Sequence, residues 1–110
     1  MTDGAQRNAE LAGNLRQMIA ALEAERQALA DLDPDALIGS AHEKERLCLA
    51  IAPVGPNALD EEGRALAQTA QHLNEVNRRV RNLLAANVAS RLAAIGQARG
   101  TSATDQIARA

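Results

Sequence analysis

The sequence predicts an all-α fold, a long antiparallel helical hairpin of coiled-coil type whose first arm is bent near Pro34. Composition is the first observation: of 51 hydrophobic residues, 25 are alanine, 14 are leucine and none is Phe, Tyr or Trp. Strands prefer β-branched and aromatic side chains, which this chain scarcely offers. The other two observations are leucines at heptad spacing and a few strong helix breakers, which leave long uninterrupted helical segments between them.

The first arm, residues 5–52, is predicted from its apolar spacing. The apolar positions alternate at intervals of four and three, which is typical of a helical seam, once Glu25 is counted among them. They are Leu11, Leu15, Met18, Leu22, Leu29 and Leu32. Pro34 disfavours helical geometry at the preceding residue and suits the first turn of a new helix, with Asp33 as its N-cap. The first arm is therefore expected to bend at this point.

The second arm, residues 58–98, follows a loop at residues 53–57 that holds two prolines and a glycine. Asn57 or Asp60 can cap this arm, and its buried face should run along α-helical spacing from Leu66 to Ile95. Gly96 and Gly100 are candidate stops, and the polar tail, residues 99–110, is expected to be flexible. We interpret residues 1–110 as a single helical domain. Because alanines bury little surface, a second copy or another helix is expected to complete its core.

Composition and charge exclude several functions. Without aromatic side chains, the chain cannot stack nucleobases, and its formal net charge of −2 does not favour nucleic-acid binding. No apolar run approaches the length of about 20 residues that spans a bilayer, and the N-terminus has no apolar signal segment, so we expect a cytoplasmic protein without membrane insertion. The charge is uneven, since residues 64–110 hold seven arginines and only two acids.

Candidate catalytic and metal-binding residues are few. His42 would suit a phosphotransfer domain, but Glu45 and Arg46 stand where such domains carry lysine and glycine. Cys48 lies between two leucines without a histidine at short spacing to activate it, so it is interpreted as a small hydrophobic residue. The sequence contains no nucleotide-binding, hydrolase or zinc-protease motif. We therefore expect no enzyme activity, no catalytic residue, no metal site and no cofactor.

Three asparagines, Asn74, Asn77 and Asn87, stand out on the second arm because asparagine is a poor helix former. Asn77 and Asn87 fall at or beside the seam, where exposure to solvent explains them least. They could fix the register of the hairpin, as buried polar residues do in coiled coils. Alternatively, their amides could bond an incoming helix.

Two stretches resemble the flagellar export chaperones of the FlgN type. On the first arm the resemblance rests on Glu25-x-x-x-Leu29, Leu37 and Glu43-Lys44-x-x-Leu47. On the second arm it rests on Leu73-Asn74-Glu75-Val76-Asn77, followed by the pair Leu83-Leu84 and by Val88. The resemblance covers about residues 10–95.

The resemblance implies a cytoplasmic chaperone that binds the C-terminal helical segments of hook-filament junction proteins and delivers them to the flagellar export apparatus. An amphipathic client helix would lie along the second arm, as in helix-in-groove recognition. The predicted client-binding residues are Asn77, Val80, Leu83, Leu84, Asn87, Val88 and Leu92. The alternative is a structural or adaptor coiled coil that forms homo-oligomers through the stripe from Leu11 to Leu32 and has no export client.

Overall fold

The computed structural model describes the backbone of residues 2–109 and the side chains of residues 3–55 and 57–98. Within that range the chain forms three α-helices and one short 3₁₀-helix, without a strand. The all-α helical prediction is confirmed. The elements are α1 (Thr2–Asp31), α2 (Pro34–Ile51), the 3₁₀-helix (Pro56–Ala58) and α3 (Glu61–Arg109).

The turn between α1 and α2 is a reversal, sharper than the bend that the sequence predicts. Leu32 adopts a left-handed backbone conformation with φ of 52°. The amide of Leu32 donates to the carbonyl of Leu29 at 3.3 Å, and that of Asp33 to the carbonyl of Ala28 at 3.0 Å. This pair of bonds is a Schellman motif, which ends a helix and turns the chain away from its axis. The first arm is thus two helices folded against each other as an antiparallel hairpin.

Asp33 and Pro34 start α2 as the sequence predicts. The Asp33 backbone is extended, with φ of −99° and ψ of 98°, and its carboxylate accepts a hydrogen bond from the Ala36 amide at 3.1 Å. Pro34 occupies the first turn, where its missing amide hydrogen leaves no bond unmade. The N-cap supplies one of the acceptors that the first turn of a helix otherwise lacks.

The connection from α2 to α3 confirms the predicted helix break. α2 ends at Ile51, and Asp60 then caps α3 by accepting a hydrogen bond from the Gly63 amide at 2.7 Å. A Cβ atom at position 63 would lie 3.0 Å from Asp60 Oδ1 and 3.3 Å from Leu59 Cδ2. Glycine at this position therefore leaves room for the cap.

The chain divides into two compact units, residues 1–78 and residues 79–110. Unit 1 is a bundle of α1, α2 and the first turns of α3, in which α1 and α3 run in the same direction and α2 runs opposite to both. Its core joins Met18, Ala21 and Leu22 of α1 to Leu47 of α2 and Ala70 of α3. Leu22 and Leu47 are 1% and 0% exposed, so the heptad seam of α1 lies inside this unit.

Unit 2 consists of the later turns of α3. The helix continues through both candidate stops, Gly96 and Gly100, to Arg109, so the prediction that the second arm ends at residue 98 is wrong. Among residues 79–98, only Val80 and Leu84 are half-buried, and the others are exposed, so the prediction of a buried face that reaches Ile95 is wrong beyond Leu84. The side chains of the predicted flexible tail, residues 99–110, lie outside the described residues, and its flexibility stays a prediction.

Candidate functional site

A polar cluster lies inside unit 1, beside the apolar core. Glu25 of α1 and Asn77 of α3 are 2% and 0% exposed. Lys44 of α2 places its Nζ 3.3 Å and 3.2 Å from the two carboxylate oxygens of Glu25. The same Nζ donates to Asn74 Oδ1 at 3.0 Å. We call these four residues the polar layer, and each of the three helices contributes to it.

Asn77 is the central hydrogen-bond donor of the polar layer. Its Nδ2 donates to the carbonyl oxygen of Leu22 at 2.8 Å and to Glu25 Oε1 at 2.9 Å. One amide thus binds both the backbone and a side chain of α1. Buried carboxylates require compensating cations and donors, and Lys44 and Asn77 supply them here. Glu25 interrupts the leucine seam without leaving a buried charge unpaired.

The Oδ1 atom of Asn77 has a different environment from its Nδ2. Among the described side chains, it is the one buried nitrogen or oxygen atom without a hydrogen-bond partner. Leaving a buried acceptor unpaired costs about 1–3 kcal/mol. Because the amide nitrogen must face Leu22 and Glu25, the oxygen has to point away from them. Asn77 therefore fits one alignment of α3 against α1, which agrees with the interpretation that it fixes register.

The predicted client-binding residues do not form one surface. Asn77 lies buried in unit 1, where its Nδ2 donates two hydrogen bonds and its Oδ1 has no partner. The other six belong to unit 2. Leu83, Val88 and Leu92 are exposed by 70%, 55% and 63%, Val80 and Leu84 are half-buried, and Asn87 is exposed.

Five residues of unit 2 share one side of α3 at helical spacing, and we call them the α3 apolar face. They are Val80, Leu84, Val88, Leu92 and Ile95. Leu83 flanks this face, and Ile95, which is 50% exposed, extends it by one turn beyond the predicted site. Ile95 could have been found from the sequence, since it follows Val88 by seven residues and Leu92 by three. Large apolar side chains that lie exposed in a row on one helix are typical of an interaction surface.

Arginines accompany the α3 apolar face. Arg79, Arg81 and Arg91 lie within residues 79–98, and the sequence has no acid between Glu75 and Asp105. Arg91 follows Leu84 by seven residues and precedes Ile95 by four, so it lies on the apolar side of the helix. The basic character of this arm was predicted from the sequence, but the position of Arg91 within the face was not.

An apolar groove of about 390 Å³ opens on the surface of unit 1 and is lined by residues of α1, α2 and α3. Its lining includes Met18, Cys48, Ile51, Ala67 and Ala70. Cys48 is a free, exposed cysteine on the rim of this groove. The groove exposes the edge of the core because α3 contributes small residues there.

Surface ion pairs add little to the stability of unit 1. Arg46 donates to Glu43 at 2.6 Å, and this hydrogen bond lowers the pKa of the Glu43 carboxyl. Arg78 makes the same i,i+3 contact with Glu75 at 2.6 Å, and the bond raises the pKa of the Arg78 guanidinium. Exposed pairs of this kind contribute little to stability. Within the described residues, no three His, Cys, Asp or Glu side chains are grouped to hold a metal ion.

The chain was compared with family models, with curated proteins and with solved structures, and none of the three comparisons gives a match. Within residues 2–109, no helix combines the length and the apolar character that are needed to cross a membrane.

Proposed function

We propose that this protein is a cytoplasmic flagellar export chaperone of the FlgN type. It binds the C-terminal helical segments of hook-filament junction proteins and delivers them to the export apparatus. The observation that carries the proposal is the α3 apolar face, whose exposed members are Val88, Leu92 and Ile95. Such a face provides the anchors at successive turns that helix-to-helix recognition needs.

The two units differ in the burial of their large apolar side chains, and this difference supports the proposal. Unit 1 already has a core and a polar layer that satisfies Glu25. Unit 2 has large apolar side chains, yet its described residues leave them exposed. An apolar helix face that is not used inside its own unit is suited to a transient partner, which a chaperone must bind and later release.

The residues that carry the family resemblance support the proposal in a second way. Glu25, Lys44 and Asn77 come from distant parts of the sequence, and they meet in the polar layer. A polar layer of this kind aligns three helices in one register. In the proposed chaperone, these residues hold the scaffold and the α3 apolar face holds the client.

The alternative of a self-associating coiled coil receives less support. The stripe that would mediate it includes Leu11, Leu15, Leu22 and Leu29, which are between 1% and 5% exposed inside unit 1. Self-association through these leucines would require the bundle to open. The apolar character of these four leucines is therefore accounted for within one chain, whereas Leu32, the last residue of the stripe, is 72% exposed.

Titration calorimetry with C-terminal peptides of hook-filament junction proteins tests the proposal. Val88→Asp places a charge in the middle of the α3 apolar face, and we expect it to weaken binding by about 2 kcal/mol or more, as at a central anchor. Ala86→Asp is the matched control, because two residues along a helix lead to its opposite side. Both positions are exposed, so both variants should keep the wild-type melting temperature.

The two variants separate the possible results. Loss of binding in Val88→Asp alone supports the proposed site. Equal loss in both variants would indicate a general charge effect and would contradict that site. If the wild-type protein binds none of the junction-protein segments, the proposed function is wrong, whatever the variants do.

A further inference from the structure

The outer side of α2 carries a row of four exposed residues at intervals of four, three and four, which is heptad spacing. They are Ile38, His42, Glu45 and Leu49. The two apolar members, Ile38 and Leu49, are 56% and 71% exposed. Leu47, which is buried in the core, lies on the opposite side of the helix. We call the four exposed residues the α2 outer stripe, and the bundle of unit 1 does not cover it.

The two polar members of the α2 outer stripe are chemically complementary. Glu45 offers a carboxylate as a hydrogen-bond acceptor, and His42 offers an imidazole that donates a hydrogen bond and becomes a cation when it is protonated. Among the described side chains, neither residue makes a hydrogen bond or an ion pair with another. Their polar groups are therefore available to a partner.

We infer that the α2 outer stripe binds the same stripe of a second copy, with the two α2 helices antiparallel. Ile38 and Leu49 have the same midpoint along the helix as His42 and Glu45, between residues 43 and 44. One antiparallel alignment therefore places Ile38 opposite Leu49 of the second copy and His42 opposite Glu45 of the second copy. Two-fold symmetry forms each contact twice. This inference does not depend on the proposed function and concerns a different surface from the α3 apolar face.

The two kinds of contact have different roles in such a dimer. The apolar pairs at the two ends remove exposed surface from water, which favours association. The histidine-glutamate pairs in the middle select the alignment, because any other antiparallel alignment separates both kinds of pair. A parallel dimer would bring Glu45 against Glu45 of the second copy, and like charges across an interface disfavour that pairing.

Small residues flank the α2 outer stripe and allow a second helix to approach closely. Gly39, Ala41 and Cys48 are all exposed beside it. A Cβ atom at position 39 would meet nothing within 4 Å in its own chain, and glycine is unfavourable in the interior of a helix. Packing inside unit 1 therefore does not require this glycine, whereas close contact with another helix would.

Other occupants match the α2 outer stripe less well. A helix that lies in a membrane interface buries an apolar side in the lipid, and here that burial would take the Glu45 carboxylate out of water without a partner. A different protein would have to supply a complementary row of its own. The α2 outer stripe is already complementary to itself, which is the property that a symmetric dimer requires.

Sedimentation equilibrium of the full chain at concentrations from about 1 to 500 μM tests the inference. The stripe spans 11 residues, or about 17 Å of helix, so we expect a weak dimer that dissociates in the micromolar range. Leu49→Asp should weaken the dimer at least about tenfold. Ala50→Asp is the matched control and should leave the dimer unchanged, because the next residue of a helix points about 100° away. Both positions are exposed, so circular dichroism should show wild-type helicity in both variants.

A charge exchange tests the polar pairs. One protein carries His42→Glu, so that two glutamates would face each other in its dimer. The other carries His42→Lys and Glu45→Lys, so that two lysines would do so. Each protein alone should dimerise at least about tenfold more weakly than the wild type, and an equal mixture should form a dimer with one chain of each kind. Adding Leu49→Asp to either protein should prevent the mixed dimer, which excludes a general attraction between their net charges.

Cross-linking tests the direction of the helices, with Cys48→Ser in every protein. The inferred alignment places position 49 opposite position 38 of the second copy and about 17 Å along the axis from position 49 of that copy. A disulfide needs Cα atoms within about 7 Å. Mild oxidation should therefore join Ile38→Cys to Leu49→Cys in a mixture and should leave Leu49→Cys alone uncrosslinked. Efficient cross-linking of Leu49→Cys alone would indicate a parallel dimer and would overturn the inference.

Three other results would also overturn it. The first is a wild-type protein that stays monomeric over the whole concentration range. The second is a dimer that Val88→Asp breaks and Leu49→Asp does not, which would assign self-association to the α3 apolar face. The third is a monomer that binds vesicles of phosphatidylcholine and phosphatidylserine and loses this binding in Leu49→Asp, which would assign the α2 outer stripe to a membrane.

Discussion

The two units differ in how far they bury one series of α3 positions, which lie seven residues apart. In unit 1, positions seven residues apart on α3 are buried against the bundle: Gly63, Ala70 and Asn77. The next two positions of that series lie in unit 2, where Leu84 is half-buried and Arg91 is exposed. The residue types at these positions differ in the same way. The side chains of the series are small or hydrogen-bonded in unit 1, and they are large and apolar or cationic in unit 2.

A polar residue on the α3 or α1 seam has a different role in each unit. Glu25 and Asn77 are polar residues that are hydrogen-bonded to each other between two helices of the same unit, and Glu25 also pairs with Lys44. Arg91 is a cationic residue on the exposed α3 apolar face, which we propose as the client-binding surface. Substitutions in the polar layer should therefore change stability, and substitutions in the α3 apolar face should change binding.

The largest expected effect follows from removing the cation of the polar layer. Lys44→Met removes one ion-pair partner of the buried Glu25 carboxylate, and the loss of one member of a buried pair costs about 3–5 kcal/mol. Lys44 is 18% exposed, so we expect a value near the lower end of that range. Urea unfolding followed by circular dichroism measures the change.

A second substitution provides the control for that result. Glu25→Gln combined with Lys44→Met removes both charges and keeps an acceptor for Asn77, so it should recover much of the lost stability. Arg46→Met removes an exposed cation from the same helix and should change stability little. A Lys44→Met protein as stable as the wild type would show that the pair in the polar layer has no stabilising role.

A smaller effect is expected for the central donor. Asn77→Leu removes the hydrogen bonds to the Leu22 carbonyl and to Glu25 Oε1, and it leaves a buried carboxylate with one donor fewer. We expect unfolding free energy to fall by about 1–3 kcal/mol, with client affinity unchanged once the variant is folded. Thermal melting and calorimetric titration measure the two quantities separately.

The opposite result for Asn77→Leu would change the comparison between the units. A variant of unchanged or higher stability with weaker client binding would mean that Asn77 acts on the client, as the sequence analysis also allowed. The polar layer would then belong to the binding site and not only to the scaffold.

Much of the fold could be predicted from the sequence because its signals are local. The proline and the N-cap of α2, the break after Ile51, the Asp60 cap and the heptad seam of α1 all depend on residues close together in the chain. The partners of Glu25 could not be predicted in this way. Lys44 and Asn77 lie 19 and 52 residues further along the chain, and only the folded bundle brings them to it.

The reversal at Leu32 could not be predicted from the sequence for a related reason. Glycine or asparagine usually marks a left-handed residue at the end of a helix, and leucine does not. The proline that follows indicated an interruption of the helix but not its angle. The burial of the α1 seam against α2, and with it the difference between the closed unit 1 and the exposed face of unit 2, depends on this one turn.

Leu32→Gly should therefore stabilise unit 1, with the smallest effect of the three substitutions. Leu32 is 72% exposed, so its side chain contributes little burial, while its φ of 52° is strained for any residue with a Cβ atom. Glycine adopts this conformation without strain but makes the unfolded chain more flexible, so the net gain should be about 1 kcal/mol or less. Leu32→Ala is the matched control, because it shortens the side chain and keeps the strain. If urea unfolding shows that Leu32→Gly gains stability relative to Leu32→Ala, the turn is the strained element that closes unit 1; equal stabilities would mean that the left-handed conformation at position 32 imposes no measurable strain.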